Sequence, residues 1–272
     1  MAIGLGVPRK TIRVVEYSDH VAVEPTEGGE NYAPALGGYA KQVLAAGSSL
    51  CGFVVMKGSP SCGMERVKQF NSKGNVQNYL GVGAFTRQLR EQAPWLPIEE
   101  SDRLRDAQLR ENFVLRVFAL SEWRNSVEAN LTAAKLIAFH ASYKYLLMAH
   151  SQSAYRELGR LLASLKTVDL HAVATTYIEK FLVALAKPAG RKGNTNALMH
   201  IQGYFKTQLS GDDKIRLSQV IEQYRLGLVP LSTPITLLSF LLNQYPNEYL
   251  QQQRYFKPYP DELGLRNSIE SA

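Results

Sequence analysis

Near residue 105 the hydrophobic period of this chain changes, and that change limits the folds open to it. Before it, apolar residues come in short, β-branched runs broken by glycine, asparagine and proline, the pattern of brief strands among single helices. After it they recur every three to four residues through segment after segment, the pattern of helices with one buried face. The expected architecture is therefore an α/β domain over residues 1–115 followed by an all-α domain over residues 126–272. An amphipathic helix at 106–123, with Leu109, Phe113, Val117 and Leu120 on one stripe, is expected to join them. No period of 20–50 residues recurs, so a solenoid is not expected.

In the first half, residues 11–17 and 21–24 read as strands joined by a Ser-Asp-His turn. Pro34 suits the first turn of a helix reaching residue 46, with Leu36, Tyr39, Ala40, Val43 and Leu44 on its buried face. Residues 66–70 alternate as an exposed strand does, 71–83 read as a glycine- and asparagine-rich loop, and 84–92 as a helix ended by Pro94 and Pro97. Gly81-Val82-Gly83 lacks the third glycine and the preceding strand of a nucleotide-binding fingerprint.

The most informative stretch is residues 50–66, LCGFVVMKGSPSCGMER. Its apolar run is short and bounded by Gly52 and Gly58, which predicts a buried strand. The turn that follows lifts Ser59, Ser61 and Cys62 to the strand's C-terminal end, where open α/β sheets bind ligands. Gly63 is expected to leave the backbone beside the thiol uncovered, with Glu65 and Arg66 close by. The same spacing also fits a tight turn with an incidental buried cysteine, since free cysteine is often buried.

In the second half, residues 131–150 read as one strong helix, with Leu136, Ile137, Phe139, Tyr143, Leu146 and Leu147 inward and Lys135, His140 and Lys144 roughly opposite. Ser151 and Asp169 are natural N-caps for the next two helices. Residues 187–196, KPAGRKGNTN, read as an open loop in which Lys187, Arg191 and Lys192 meet a helix N-terminus, an arrangement suited to phosphate or to a solvated connector. Tyr143, Tyr145, Tyr155, Tyr204 and Phe205 are candidates for stacking on unpaired bases, although tyrosines at helical spacing are more often core. His140 and His150 lack the spacing of a zinc pair. The tail from 245 to 260 is expected to be a packed extended arm.

The chain carries 31 Lys and Arg against 24 Asp and Glu, a net charge of +7 that points to an anionic partner, RNA or DNA first. No apolar run approaches the ~20 residues of a membrane span. The opening residues lack the charged-then-apolar order of a secretory signal. Two cysteines form neither a disulfide framework nor a CxxC pair, so a cytoplasmic setting is expected.

Two blocks resemble known families. Residues 2–9, 52–57 with Ser59-Pro60-Ser61-Cys62-Gly63, and 81–90 resemble the thiouracil desulfidase family (the TudS domain). Residues 139–163, 187–208 and 224–234 resemble the YbgA-like helical domain, and the order of the two is similar to that of bacterial tRNA 4-thiouridine desulfidases. The resemblance implies a [4Fe–4S] cluster held by three cysteines, one iron being left open to take a thiocarbonyl sulfur while water replaces it on the ring; soft iron suits that soft donor. It implies Cys62 as a cluster ligand and Ser59 as the catalytic serine, and it places Arg9 at a recurring Pro-Arg position. In the family the other two cysteines and a catalytic glutamate precede the Ala-Ile-Gly-Leu-Gly segment at which this sequence opens. The α/β domain is thus expected to lack its N-terminal strand, leaving an incomplete, open sheet, and to lack most cluster ligands. Cys51 stands where the family does not reserve a cysteine.

The expected activity is desulfidation of 4-thiouridine in tRNA to uridine, impaired by those missing ligands, with Lys144, Lys187, Arg191 and Lys192 on RNA phosphates. The alternatives are a non-catalytic RNA-binding protein and a desulfidase of free thiouracil whose helical domain oligomerises.

Overall fold

A computed structural model of the chain describes residues 3–6, 8, 10–46 and 50–267. Arg9 lies outside the described residues. The molecule divides into two compact units, Met1–Arg105 and Asp106–Ala272. The expected joining helix falls inside the second.

The first unit is built on a four-stranded mixed sheet of order β2-β1-β4-β5. Strands β1 (Ile12–Glu16) and β2 (Val21–Pro25) pair antiparallel across the polar turn, as the sequence predicts. Val14 and Val15 are both fully buried, so the β1 strand is covered on both faces. Helix α1 (Ala33–Ala46) begins where Asn31 Oδ1 accepts the Ala33 amide, 2.9 Å.

Strand β3 (Phe53–Val55) is where expectation and structure part. Instead of lying in the main sheet it pairs, parallel, with only β6 (Ile98–Glu100) among the described strands. Covered on one edge alone, it leaves Val54 52% and Met56 64% exposed, so it is not the buried strand its composition predicts. The predicted exposed strand, β4 (Val67–Asn71), lies inside the sheet between β1 and β5 (Val76–Gly81), with Val67 buried.

β5 falls in the expected loop. Asn71 is the reason: its side chain accepts the amides of Lys73 and Asn75 at 3.1 and 3.0 Å, while Gly74 takes φ +81°. The polar run is thus a hairpin turn. Helix α2 (Ala84–Gln92) follows, packed on α1 where Tyr39 and Phe85 lie 5.6 Å apart.

The second unit is helical, as predicted: α3 (Ala107–Glu122), α4 (Ala133–Ser142), α5 (Lys144–His150), α6 (Gln152–Ala163), α7 (Leu170–Ala184), α8 (Arg191–Gln202), α9 (Gly211–Arg225), α10 (Ser232–Gln244) and α11 (Glu248–Gln251). Ser151 and Asp169 cap α6 and α7, accepting the amides of Ala154 and Ala172. Rings of Trp123, Phe139, Tyr143, Tyr177 and Phe181 make the core, with Trp123 and Tyr177 stacked 5.6 Å apart.

The single helix expected over 131–150 breaks at Tyr143. The tail explains the break. Gln253 Nε2 donates to the Ala141 carbonyl at 2.8 Å and the Arg254 amide to the Ser142 carbonyl at 2.9 Å. Tyr143, fully buried, donates to Glu122, which Arg254 also grips through two bonds of 2.7 Å. Ile137, expected on the inward face, is 51% exposed. Among the described residues no helix is long and apolar enough to cross a membrane.

Candidate functional site

In the first unit Ser59 and Cys62 lie in one turn, where Ser59 Oγ accepts the Cys62 amide at 3.3 Å and the Ser59 carbonyl accepts the Gly63 amide at 2.8 Å. The turn is bound to helix α2. The first amides of that helix, which have no partner within it, donate outward: Ala84 N to the Pro60 carbonyl at 3.2 Å and Phe85 N to the Ser61 carbonyl at 2.9 Å. Thr86, fully buried, donates its hydroxyl to the Cys62 carbonyl at 2.7 Å. Three successive residues of the turn thus have their carbonyls held by one helix start.

That contact explains the second glycine of Gly81-Val82-Gly83. A Cβ on Gly83 would fall 2.4 Å from the Cys62 nitrogen and 2.6 Å from the Ser61 carbonyl carbon, so only glycine permits the approach. Gly63 is likewise buried against Val67 and Ser59, which corrects the expectation that it leaves the backbone open.

Behind the turn lies a layer of charge. Glu100, 2% exposed, accepts the amides of Met64 and Glu65 at 2.8 and 3.3 Å. Arg90 donates to the Met64 carbonyl at 2.9 Å, and Arg103 bridges Glu99 and Glu65 at 2.7 and 2.9 Å. Burial pulls the Arg90 pKa down, against the charges of Glu65, Glu99 and Glu100 that push it up. The adjoining Arg66 takes φ +54°, a conformation rare for a side-chain-bearing residue.

What is left for a ligand is small and specific. The Cys62 thiol is free and half-buried. Among the described residues nothing accepts the proton of the Ser59 hydroxyl. Ser61 Oγ is buried with no hydrogen-bond partner, the kind of atom a bound group would satisfy. Thr86, Gly83, Glu100 and Arg90 were missed in the sequence because each acts across more than twenty residues; the paired glycines at 81 and 83 were the one local sign.

The donor set does not fit a [4Fe–4S] cluster. Such a cluster takes three or four thiolates, and the chain has two cysteines, Cys51 and Cys62. Among the described residues no group of three His, Cys, Asp or Glu side chains is placed to hold a metal ion.

In the second unit the expected open loop at 187–196 is mostly helix, since α8 begins at Arg191 with Gly190 as N-cap. Lys187 and Lys192 are exposed. Arg191 instead donates to the Tyr224 carbonyl at 3.1 Å and lies 5.5 Å from the centre of that ring. Gly190 stands in open space, but a Cβ on Gly193 would meet the Ala149 carbonyl oxygen, so Gly193 is a packing glycine between α8 and α5. His150, on α5, donates from Nδ1 to the Lys187 carbonyl at 2.9 Å, and burial pulls its pKa to about 4. Lys144 begins α5, roughly 8 Å along the helix from Ala149. Three of the four cations are therefore neighbours in sequence, and Lys144 stands apart. Of the aromatic candidates, Tyr143, Tyr145 and Phe205 are core; Tyr155 and Tyr204 are half-buried.

Residues 1–101 match the family model described as 2-thiouracil desulfurase. Residues 144–260 match one described as a protein family of unknown function, DUF1722. The chain is similar to the uncharacterized protein YbgA of Escherichia coli strain K12, at 35% identity over 156 residues, which covers 57% of this chain and 92% of that protein. No solved structure matches it.

Proposed function

The chain belongs to the YbgA family, with a 2-thiouracil desulfurase domain fused ahead of the YbgA-like one, and from that premise we propose that it removes sulfur from 4-thiouridine in tRNA. The net change is that a ring C=S becomes C=O, with water supplying the oxygen and sulfur leaving as hydrogen sulfide. The observation that carries this reading is the Cys62 turn: a half-buried thiol held rigid by α2, beside the Ser59 hydroxyl and the unpartnered Ser61 hydroxyl. In this reading Ser59 donates its proton to the leaving sulfur, and Cys62 faces the thiocarbonyl. Any cluster acting there takes its further thiolates from outside these 272 residues.

RNA, rather than a free base, is the substrate on grounds of charge. The second unit holds 19 Lys and Arg against 14 Asp and Glu, which is +5 of the chain's +7. Lys187 and Lys192 are exposed there, free to meet phosphates.

The short donor set favours a second reading, an RNA-binding protein without chemistry. One assay separates the two: the protein is incubated without oxygen with 4-thiouridine tRNA, and both bound RNA and released sulfide are measured. Sulfide release that disappears with Cys62→Ala and Ser59→Ala supports desulfidation. Binding with the thiocarbonyl intact supports the second reading and defeats the first.

A further inference from the structure

We propose that a half-buried cluster of tyrosines around Lys144 is the seat of one unpaired nucleotide of the RNA, its base against the tyrosine rings and its phosphate on the lysine. The inference rests on the RNA reading and names the place in the second unit where the strand is gripped.

Five elements converge there: α4 brings His140, α5 Lys144 and Tyr145, α6 Tyr155, the 3-10 turn Gly203–Phe205 brings Tyr204, and α11 Tyr249. Tyr204 and Tyr249 stack, 6.0 Å between centroids and 17° between planes. His140 and Tyr155 stack at 5.5 Å and 1°. Lys144 Nζ lies 5.1 Å from the centre of Tyr145 and 5.7 Å from that of Tyr249. Tyr145 is core, whereas Tyr155, Tyr204, Tyr249 and Lys144 remain partly open to solvent.

The hydrogen-bond count of this cluster is unbalanced. Tyr145 donates to the Tyr204 oxygen at 3.1 Å, so the Tyr204 proton must go elsewhere. Among the described residues nothing accepts the hydroxyl protons of Tyr155 and Tyr249, and Lys144 pairs with no carboxylate. The hydroxyl protons of Tyr155, Tyr204 and Tyr249 are thus unmatched beside a single positive charge, and the buried Gln253 Oε1 next to Tyr249 is unpartnered as well. A phosphodiester supplies both the acceptors and the opposite charge, and an unstacked base supplies a flat face for the rings.

Burial first, then the neighbouring Tyr204 and Tyr155, push the Tyr249 pKa up to about 12, and burial raises that of Tyr155, so these two hydroxyls stay protonated as donors. Burial, with the Lys144 charge second, holds His140 near 4, so at neutral pH the ring is an uncharged plane. Duplex bases are hidden in their stack, so the seat selects a single strand or a loop.

The test is fluorescence anisotropy of the full chain with a labelled single-stranded oligoribonucleotide and with the same sequence as a duplex, across a salt series. Tyr249→Leu keeps apolar bulk and loses the ring; Tyr155→Ala is its companion, and circular dichroism checks that each is folded. Stacking predicts a loss of single-strand affinity of about fivefold to a hundredfold, with the salt slope unchanged and duplex binding unmoved. Lys144→Ala should instead lower the slope by about 0.7, and Tyr249→Phe, which keeps the ring and loses one donor to the phosphate, should bind single strands more weakly than wild type but more tightly than Tyr249→Leu. Folded Tyr249→Leu and Tyr155→Ala proteins that bind the single strand as tightly as wild type overturn the seat, as does an equal loss on duplex. A wild-type chain that binds neither form overturns the RNA reading itself.

Discussion

Replacing Gly83 by alanine tests whether the Cys62 turn is held by α2 as described. Gly83 has φ −60° and ψ 141°, open to alanine, so the substitution carries no torsional cost and acts through space alone. Its Cβ would lie 2.4 Å from Cys62 N, 2.6 Å from Ser61 C and 2.7 Å from Gly63 N. All three are backbone atoms, so no rotamer change gives relief. Restoring an ordinary contact needs a displacement of about 1 Å, enough to stretch the bonds from Ala84, Phe85 and Thr86 to the turn. Such overpacking costs about 1–3 kcal/mol. The assay is urea unfolding of a Trp123→Phe background, in which the fluorescence of Trp95 reports the first unit, since the two tryptophans lie one in each. Gly38→Ala is the control: on helix α1, with nothing within 4 Å of its Cβ, it should stabilise by about 0.5–1 kcal/mol. A Gly83→Ala transition coincident with that of the parent would refute the close approach.

Gly193→Ala should destabilise the second unit by about 3 kcal/mol, lowering its Tm by roughly 6–12 °C, because α8 must move off the Ala149 carbonyl; Gly190→Ala, in open space, should shift it far less. His140 is held near 4 against an ordinary 6.5, so below pH 6.5 the unfolded chain takes up a proton that the folded one refuses. Stability is then full above pH 6.5 and falls by up to about 1.4 kcal/mol per pH unit down to pH 4. In denaturant titrations at pH 7 and pH 5, His140→Phe should remove that share of the slope and leave the similar share of His150, which is also held near 4. Anaerobic iron–sulfide reconstitution of the 272-residue chain should give well under one [4Fe–4S] cluster per chain; full loading would contradict the count of two cysteines.

The order of the two units, the first hairpin and the caps at Ser151 and Asp169 were legible because each is local: two short apolar runs about a polar turn, a 3.6 period, a serine or aspartate ahead of a helix. The misreadings all come from distance. The apolar composition of residues 53–55 predicts burial, but burial of a strand is set by its neighbours, and β3 has β6 alone. β5 hides in polar sequence because its pairing to β4 depends on the Asn71 turn rather than on alternation. The break at Tyr143 is made by Gln253 and Arg254, more than a hundred residues on. At the candidate site the same division holds. Ser59 and Cys62 stand out in the sequence, whereas Thr86 and Glu100, which hold their turn, look like ordinary helix and strand residues. Glycine was legible as a mark but not in meaning: Gly63 and Gly193 read as openness and Gly83 as the end of a loop, and each is a place where two backbones touch.

The central claim is that this chain takes sulfur from thiolated RNA at the Cys62 turn. Its most direct test is the 4-thiouridine content of tRNA, measured by nucleoside mass spectrometry, in cells producing the protein and in cells producing the Cys62→Ala variant at equal levels. The account predicts that 4-thiouridine falls and uridine replaces it with the wild-type protein, and that the variant leaves it unchanged. Equal 4-thiouridine in both, with the protein folded and bound to RNA, would contradict it.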